Sequence, residues 1–338
     1  NAQIICNGND CTLSNINAGD ITDRIDINGV HGLNSFIFAD TNPNGDSTRI
    51  NYNGFGYFAL QFSGFQGNNI ELNGEVLSKG KGINLQNSYL YNNFISSGNI
   101  SATGKGSNAL QLEFSIIDGD FTSSGNNSAN FMSLVLIAST VYGDFTSSGD
   151  NNSTNSSALI LSASTINGDF ISSGTNNVNS NNALYLNGST INGDFISSGN
   201  NSAGEQYAIH LNGSTIKGDF ISSGNNSVNN GNDALYLFGS TINGDFISSG
   251  NNSTAGNTAL GISVSTIYGN FISSGTNNAE DAAAIFLEIP TIYGDFISSG
   301  NNSANNYPIY FFAPVIYGDF IHQGITVAGS VNPDNTFN

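Results

Sequence analysis

Tryptophan is absent, methionine occurs once, and lysine plus arginine number only 6 among 338 residues. Set against 25 acidic residues, this leaves a formal net charge of −19, although just 9% of the chain is charged. Soluble domains carry about 25% charged residues, so Asn, Ser, Thr and Gly must cover this surface. Nucleic acid and anionic membranes are excluded as expected partners, because both demand clustered Lys and Arg. No apolar run approaches the roughly 18 residues of a membrane helix. No 3.6-residue periodicity survives either, and Gly interrupts each candidate segment, so helix is disfavoured throughout.

Cysteine is scarce: Cys6 and Cys11 stand alone, within a Gly/Asn/Asp-rich loop. In an exported protein such a pair reads as a small disulfide staple; in a cytosolic one it would be two free thiols. The sequence opens "NAQIICNGNDC", without initiator Met, basic n-region or apolar h-region. A mature chain freed of its secretion signal, and a secreted or cell-surface location, are the expectation.

What the chain has in abundance is repetition. The residue after "GD" or "GN" falls at Phe121, Phe145, Phe170, Phe195, Phe220, Phe246, Phe271, Phe296 and Phe320. Phe94 and Ile70 extend the series backwards. The period is close to 25 residues, with no room for a helix in any copy. Each copy runs through Ala-(Leu/Ile)-x-Leu, a turn, Ser-Thr-Ile, Gly-Asp, Phe-Ile-Ser-Ser-Gly and an Asn/Ser-rich bend, as in "ALYLNGSTINGDFISSG" at 183–199. Short runs rich in Ile, Phe and Thr between Gly and Asn are strand signals punctuated by turns.

The predicted fold is all-β: a single parallel β-solenoid, taken as right-handed, of about 11–13 coils. Three regions are expected: an irregular cap or docking module over 1–60, the solenoid over 61–325, and a tail at 326–338, with a strand candidate "ITVAGSV" running into it from 325. Ile166, Phe170, Ile191, Phe195, Ile216, Phe220, Ile242 and Phe246 form the expected core ladder, with Gly168 also counted inward. The Asn-Asn-Ser segments are read as bends.

The repeated S-T-I-x-G-D-F resembles the rungs of parallel β-helix proteins of bacterial surfaces, including filamentous-haemagglutinin-like adhesins. It is also similar to the I-x-G-D/N-hydrophobic rungs of bactofilins, which polymerise end to end. Bactofilin rungs are shorter, and bactofilins are cytosolic, so Cys6, Cys11 and the long Asn bends depart from them. The resemblance implies a structural or adhesive role and carries over no catalytic residue.

Candidate sites follow from the columns. Asp120, Asp144, Asp169, Asp194, Asp219, Asp245, Asp295 and Asp319 share one, interrupted by Asn270. Each Asp is expected to cap a corner through nearby backbone. Asp169, Asp194, Asp219 and Asp245 are weak Ca²⁺ candidates, since calcium seeks several oxygens; otherwise no cofactor is expected. Outward aromatics form two possible interaction surfaces, one of Tyr185, His210, Tyr236, Phe286 and Tyr310, the other of Tyr142, Tyr268, Tyr293 and Tyr317. The Ile column from Ile171 to Ile321 is either buried by a bend, the favoured reading, or displayed as an apolar stripe.

An enzyme such as a polysaccharide lyase would need a break in the repeat with clustered carboxylates and a base. Arg24, Arg49, Lys79, Lys81, Lys105, Lys217, His31, His210 and His322 show no partner in the sequence, and Glu280–Asp281 reads as a solvated bend. The expectation is therefore a non-enzyme. The leading reading is a subunit of an extracellular filament, its partner a second copy stacked head to tail. The alternative is an adhesin binding host or matrix glycans through the aromatic columns.

Overall fold

The computed structural model describes residues 2–15 and 19–328. The chain is all-β and winds into one parallel β-solenoid of about 13 turns with a repeat near 25 residues. One coil shows the plan. Leu184–Asn187 forms a Leu wall, Thr190–Ile191 and Phe195–Ser197 a Phe wall, and Asn201–Ala203 an Asn wall. Each strand pairs in parallel with its copy in the next coil: Leu184 with Ile209, Phe195 with Phe220, Asn201 with Asn226. Among the described residues the Leu and Asn walls hold 12 strands each and the Phe wall 24. At about 4.8 Å per coil, the rod is roughly 55–60 Å long.

The core is a set of in-register ladders. Every residue of the predicted Ile/Phe ladder from Ile166 to Phe246 is fully buried. Successive Phe rings stack nearly parallel, with centroids 4.9 Å apart from Phe170 to Phe195 and 4.7 Å from Phe195 to Phe220. Such burial stabilises by roughly 1.5–3 kcal/mol per ring, and identity is kept because each ring packs on its own copy. Gly168 is not part of this core: the chain bends at Asn167–Asp169, leaving all three half-exposed.

Two expectations about the walls are corrected. No bend turns the Ile column inward. Phe195 and Ser197 face the core while Ile196 faces out, and the same alternation recurs at Ile171, Ile221, Ile247, Ile272 and Ile297. These Ile remain only half-exposed because copies above and below cover their flanks. The Asn-Asn-Ser segments, in turn, are not bends but the third wall. Asn127, Asn151, Asn176, Asn201, Asn226, Asn252, Asn277 and Asn302 point inward and are buried. Each Nδ2 from Asn127 to Asn277 donates to the Oδ1 of the next Asn, as from Asn176 to Asn201 at 2.8 Å. Each also donates to a buried Ser four residues earlier, as from Asn176 to Ser172 at 2.9 Å. A buried amide is tolerable only when its donors and acceptor are met, and a column of identical amides meets them.

The corners use three devices. Between the Leu and Phe walls one residue per coil takes the left-handed conformation, among them Gly213 (φ 57°), Val264 (φ 49°) and Ile289 (φ 50°). The following buried Ser accepts from the amide of the Ser one coil back, as Ser214 Oγ does from Ser189 at 3.1 Å. At the Gly-Asp corner, Asp Oδ1 accepts from the backbone of the next coil. At the Ser-Ser-Gly corner, a Cβ on Gly199 would lie 1.9 Å from the Gly174 carbonyl oxygen. Gly is needed there for close coil stacking rather than for a turn.

The rungs reach back into the region expected to be an irregular cap. Ile25–Asn28, His31–Phe38 and Arg49–Tyr52 pair in parallel with later strands of the Leu, Phe and Asn walls. What differs is the edge of the Phe wall, where Ala2–Asn7 and Asp10–Asn15 form an antiparallel hairpin. Its turn uses Gly8 at φ 62°, and Cys6 and Cys11 face each other across the strands, joined by a disulfide. At the other end, Thr326–Ala328 of the expected tail is a further rung of the Asn wall, paired with Asn302–Ala304. Residues 329–338, the rest of that tail, lie outside the described residues.

Candidate functional site

The Asp column is an inter-coil clasp. Asp169 Oδ1 accepts from the Asp194 amide at 2.8 Å, Asp194 from Asp219 at 2.8 Å, and Asp219 from Asp245 at 2.8 Å. Asp245 accepts from the Asn270 amide at 2.7 Å, and Asn270 Oδ1 accepts in turn from Asp295 at 2.8 Å. The corner role is therefore directed at the neighbouring coil rather than at the residue's own turn. Among the described residues, no group of three or more His, Cys, Asp or Glu is placed to share a metal ion.

The aromatic columns are stacked. Tyr268, Tyr293 and Tyr317 lie parallel with centroids 4.9 and 5.0 Å apart, and Phe286 sits 5.4 Å from Tyr310. Tyr185 stacks on His210 at 5.0 Å, while Gly261 occupies the rung between Tyr236 and Phe286 and interrupts the column. Tyr142 stands apart, with Asn167 in the next coil. Because each stacked ring covers its neighbour's face, the columns offer ring edges and hydroxyls along the rod.

One part of the Leu wall holds buried ionisable groups. Tyr207 packs on His210, centroids 4.3 Å apart, and stacks with Tyr236 at 5.3 Å. Burial lowers the His210 pKa to about 4 and raises that of Tyr207 to about 12. Asp233, one rung beyond Tyr207, is raised to about 7 by burial, although it accepts from the Thr258 amide at 2.9 Å. His210 is thus a half-covered wall residue, as its column position suggested. His31 begins a strand and is exposed, and His322 contacts the Ser298 carbonyl at 3.1 Å. Glu280 and Asp281 are exposed in a bend.

A cleft that the sequence did not disclose lies at the corner between the Phe and Asn walls of the first coils. It encloses about 590 Å³ and is lined by Asp20, Asp40, Thr48, Arg49, Glu75 and Ser97, among others. Its signal was present in the sequence as a length change. Most later coils pass from Phe wall to Asn wall through a three-residue Ser-Gly-x link, whereas here the insert 39–48, "ADTNPNGDST", bulges out. Asn42 organises that insert: its Oδ1 accepts from the amides of Asn44 and Asp46, both at 2.9 Å, and its Nδ2 donates to Asp46 at 3.1 Å. On the cleft floor Arg49 donates twice to Asp20, at 2.5 and 3.1 Å, and approaches Glu75 at 3.9 Å. These bonds, with one from Asn51, hold the Asp20 carboxyl below its usual pKa. Arg49 therefore does have a partner, contrary to the reading of isolated bases.

No family model, curated protein or solved structure matches the chain.

Proposed function

We infer that the protein is a structural subunit that builds filaments by stacking solenoids end to end, each partner being a second copy of the chain. The observation that carries this is the last described rung. Ile309, Phe311 and Ile316 continue the core columns of Ile285, Leu287 and Ile292, which are completely buried. One coil on, the continuing side chains are only partly buried, and Phe320, in the column of the fully buried Phe296, is 43% exposed. Sheet edges with apolar columns are templates for further pairing. At the opposite end, Ile4 and Ile5 on the outer strand of the hairpin are 44% and 47% exposed.

A second copy suits these ends better than a foreign partner does. Each rung repeats the last at near-constant register, so the surface that best continues a rung is another of the same shape. The like-charged Asp columns run along the rod and oppose side-by-side contact, whereas the end is apolar, which favours a heterologous head-to-tail contact that does not close. The resemblance of the rung motif to surface β-helix proteins and bactofilins agrees with a structural role. Glycan binding by ring faces is less well supported, since stacking covers those faces along the columns. Sedimentation velocity across a concentration series tests the reading. Wild type grows with concentration while Phe320→Asp stays monomeric; a wild type that remains a monomer at every concentration overturns it.

A further inference from the structure

We propose that the joint between stacked copies is an antiparallel strand pair, Ala2–Asn7 of one copy against Phe320–His322 of the other. This deepens the filament reading and rests on it, naming the two edges that meet and their register. Strand direction sets the geometry. Asp10–Asn15 runs parallel to His31–Phe38, and that sense is kept from strand to strand of the Phe wall as far as Phe320–His322. Among the described strands of that wall, Ala2–Asn7 alone runs the other way. Two rods pointing the same way along a common axis therefore meet here with opposed strands.

The same pairings carry the columns to both ends. Cys11 stands opposite Phe36 and heads the column that ends at Phe320, while Leu13, opposite Phe38, heads the one that ends at His322. Across the hairpin Cys6 faces Cys11, Ile5 faces Thr12 and Ile4 faces Leu13. Cys6 and Ile4 thus continue the core columns, yet both are exposed, whereas Cys11 and Leu13 one strand below are buried. Laying wall over wall sets Phe320 against Cys6 and its disulfide, Ile321 against Ile5, and His322 against Ile4. Opposed residues of an antiparallel pair have Cβ atoms about 4.5–5.5 Å apart, so Ile5 and Ile321 touch on the outer face.

A second copy is the occupant that fits this edge. Neither Ala2–Asn7 nor Phe320–His322 contains an acidic residue or a proline, in a chain with 25 acidic residues. The two edges therefore meet without repulsion and lack the charges and prolines that keep other edge strands apart. A rung of this solenoid also brings adjacent Phe and Ile, matched to Cys6 on the inner face and Ile5 on the outer. The Cys6–Cys11 disulfide ties the edge strand to the rung beneath it, so the edge is ordered before the partner arrives.

Charge exchange across the joint, read by sedimentation velocity of the full chain over a concentration series, tests this. Ile5→Glu and Ile321→Lys each alter one outward side chain and should each weaken association at least tenfold. A chain carrying both should recover to within about threefold of wild type, because every joint then opposes one acid to one base. Ile5→Glu/Ile297→Lys, with the same charges one coil earlier in the column, should stay weak. Rescue by that control would assign the recovery to net charge and overturn the joint. Failure of Ile5→Glu/Ile321→Lys to recover overturns the antiparallel register. Wild-type association by Ile5→Glu alone overturns the joint while leaving end-to-end stacking intact. A wild type that never associates overturns stacking itself, and the joint with it.

Discussion

Asn176 Nδ2 donates to Asn201 Oδ1 at 2.8 Å across one coil, with both side chains buried in the solenoid interior. Each Asn is acceptor for one neighbour and donor to the other, so removing one from the middle orphans groups on both sides. Asn201→Ile should destabilise by about 2–5 kcal/mol. At the start of the column Asn127 follows Ile100, and its Oδ1 already lacks a partner. Asn127→Ile should therefore cost less than Asn201→Ile by about 1–2 kcal/mol. Chemical denaturation of the two variants checks the ranking, and equal costs would contradict a cooperative ladder.

The left-handed corner gives a gain instead of a loss. Val264 and Ile289 hold φ near 50° where Gly213 and Gly239 stand in other coils, and both are at least half exposed. A β-branched residue in that region costs about 1–2 kcal/mol. Val264→Gly and Ile289→Gly should each stabilise by about 1 kcal/mol, and Gly213→Val should do the reverse. Thermal melts that rank these variants in the other order would contradict the corner geometry.

The Asp clasp separates hydrogen bonding from charge. Asp194→Asn keeps an Oδ1 acceptor for the Asp219 amide, as Asn270 does for Asp295, and removes repulsion from the neighbouring carboxylates. It should raise the melting temperature at low salt, with the gain fading as salt screens the column. Asp194→Ala loses the acceptor and should be destabilising at all salt concentrations.

Asp233 and His210 set opposing pH dependences. The folded carboxyl of Asp233 titrates near 7, above its unfolded value, so the native state holds an extra proton and stability falls as pH rises from about 4 to 7. Folded His210 titrates near 4, below its unfolded value, so the unfolded state holds the extra proton and stability rises from about 4 to 6.5. Across that shared window the two contributions have opposite sign, and they offset. Asp233→Asn should unmask a rise between pH 4 and 6.5, and His210→Tyr a fall. Denaturation midpoints over that range supply the check.

Much of this architecture was legible in the sequence, because a solenoid writes its geometry as a period. The Phe column, the Ile column of the core and the Asp corner are all visible as residues recurring near 25. The Asn wall was missed for a physical reason: polarity suggested a solvated bend, yet an amide stacked on its own copy is satisfied without water. Its invariant place six residues after each Phe, from Asn127 to Asn302, was the available clue. The Ile column could be read either as buried by a bend or as displayed, because its apolarity alone does not show the shielding that in-register copies give one another. The corner cleft was hidden because Asp20, Arg49 and Glu75 are far apart in the chain and meet only through coil stacking. Only the lengthened corner 39–48 marked the place.

Electron microscopy of negatively stained wild-type protein tests head-to-tail assembly most directly. Head-to-tail stacking predicts unbranched filaments one solenoid wide, with an axial repeat close to the roughly 55–60 Å rod length. Isolated rods of that length, unassociated at the highest concentration, would contradict it.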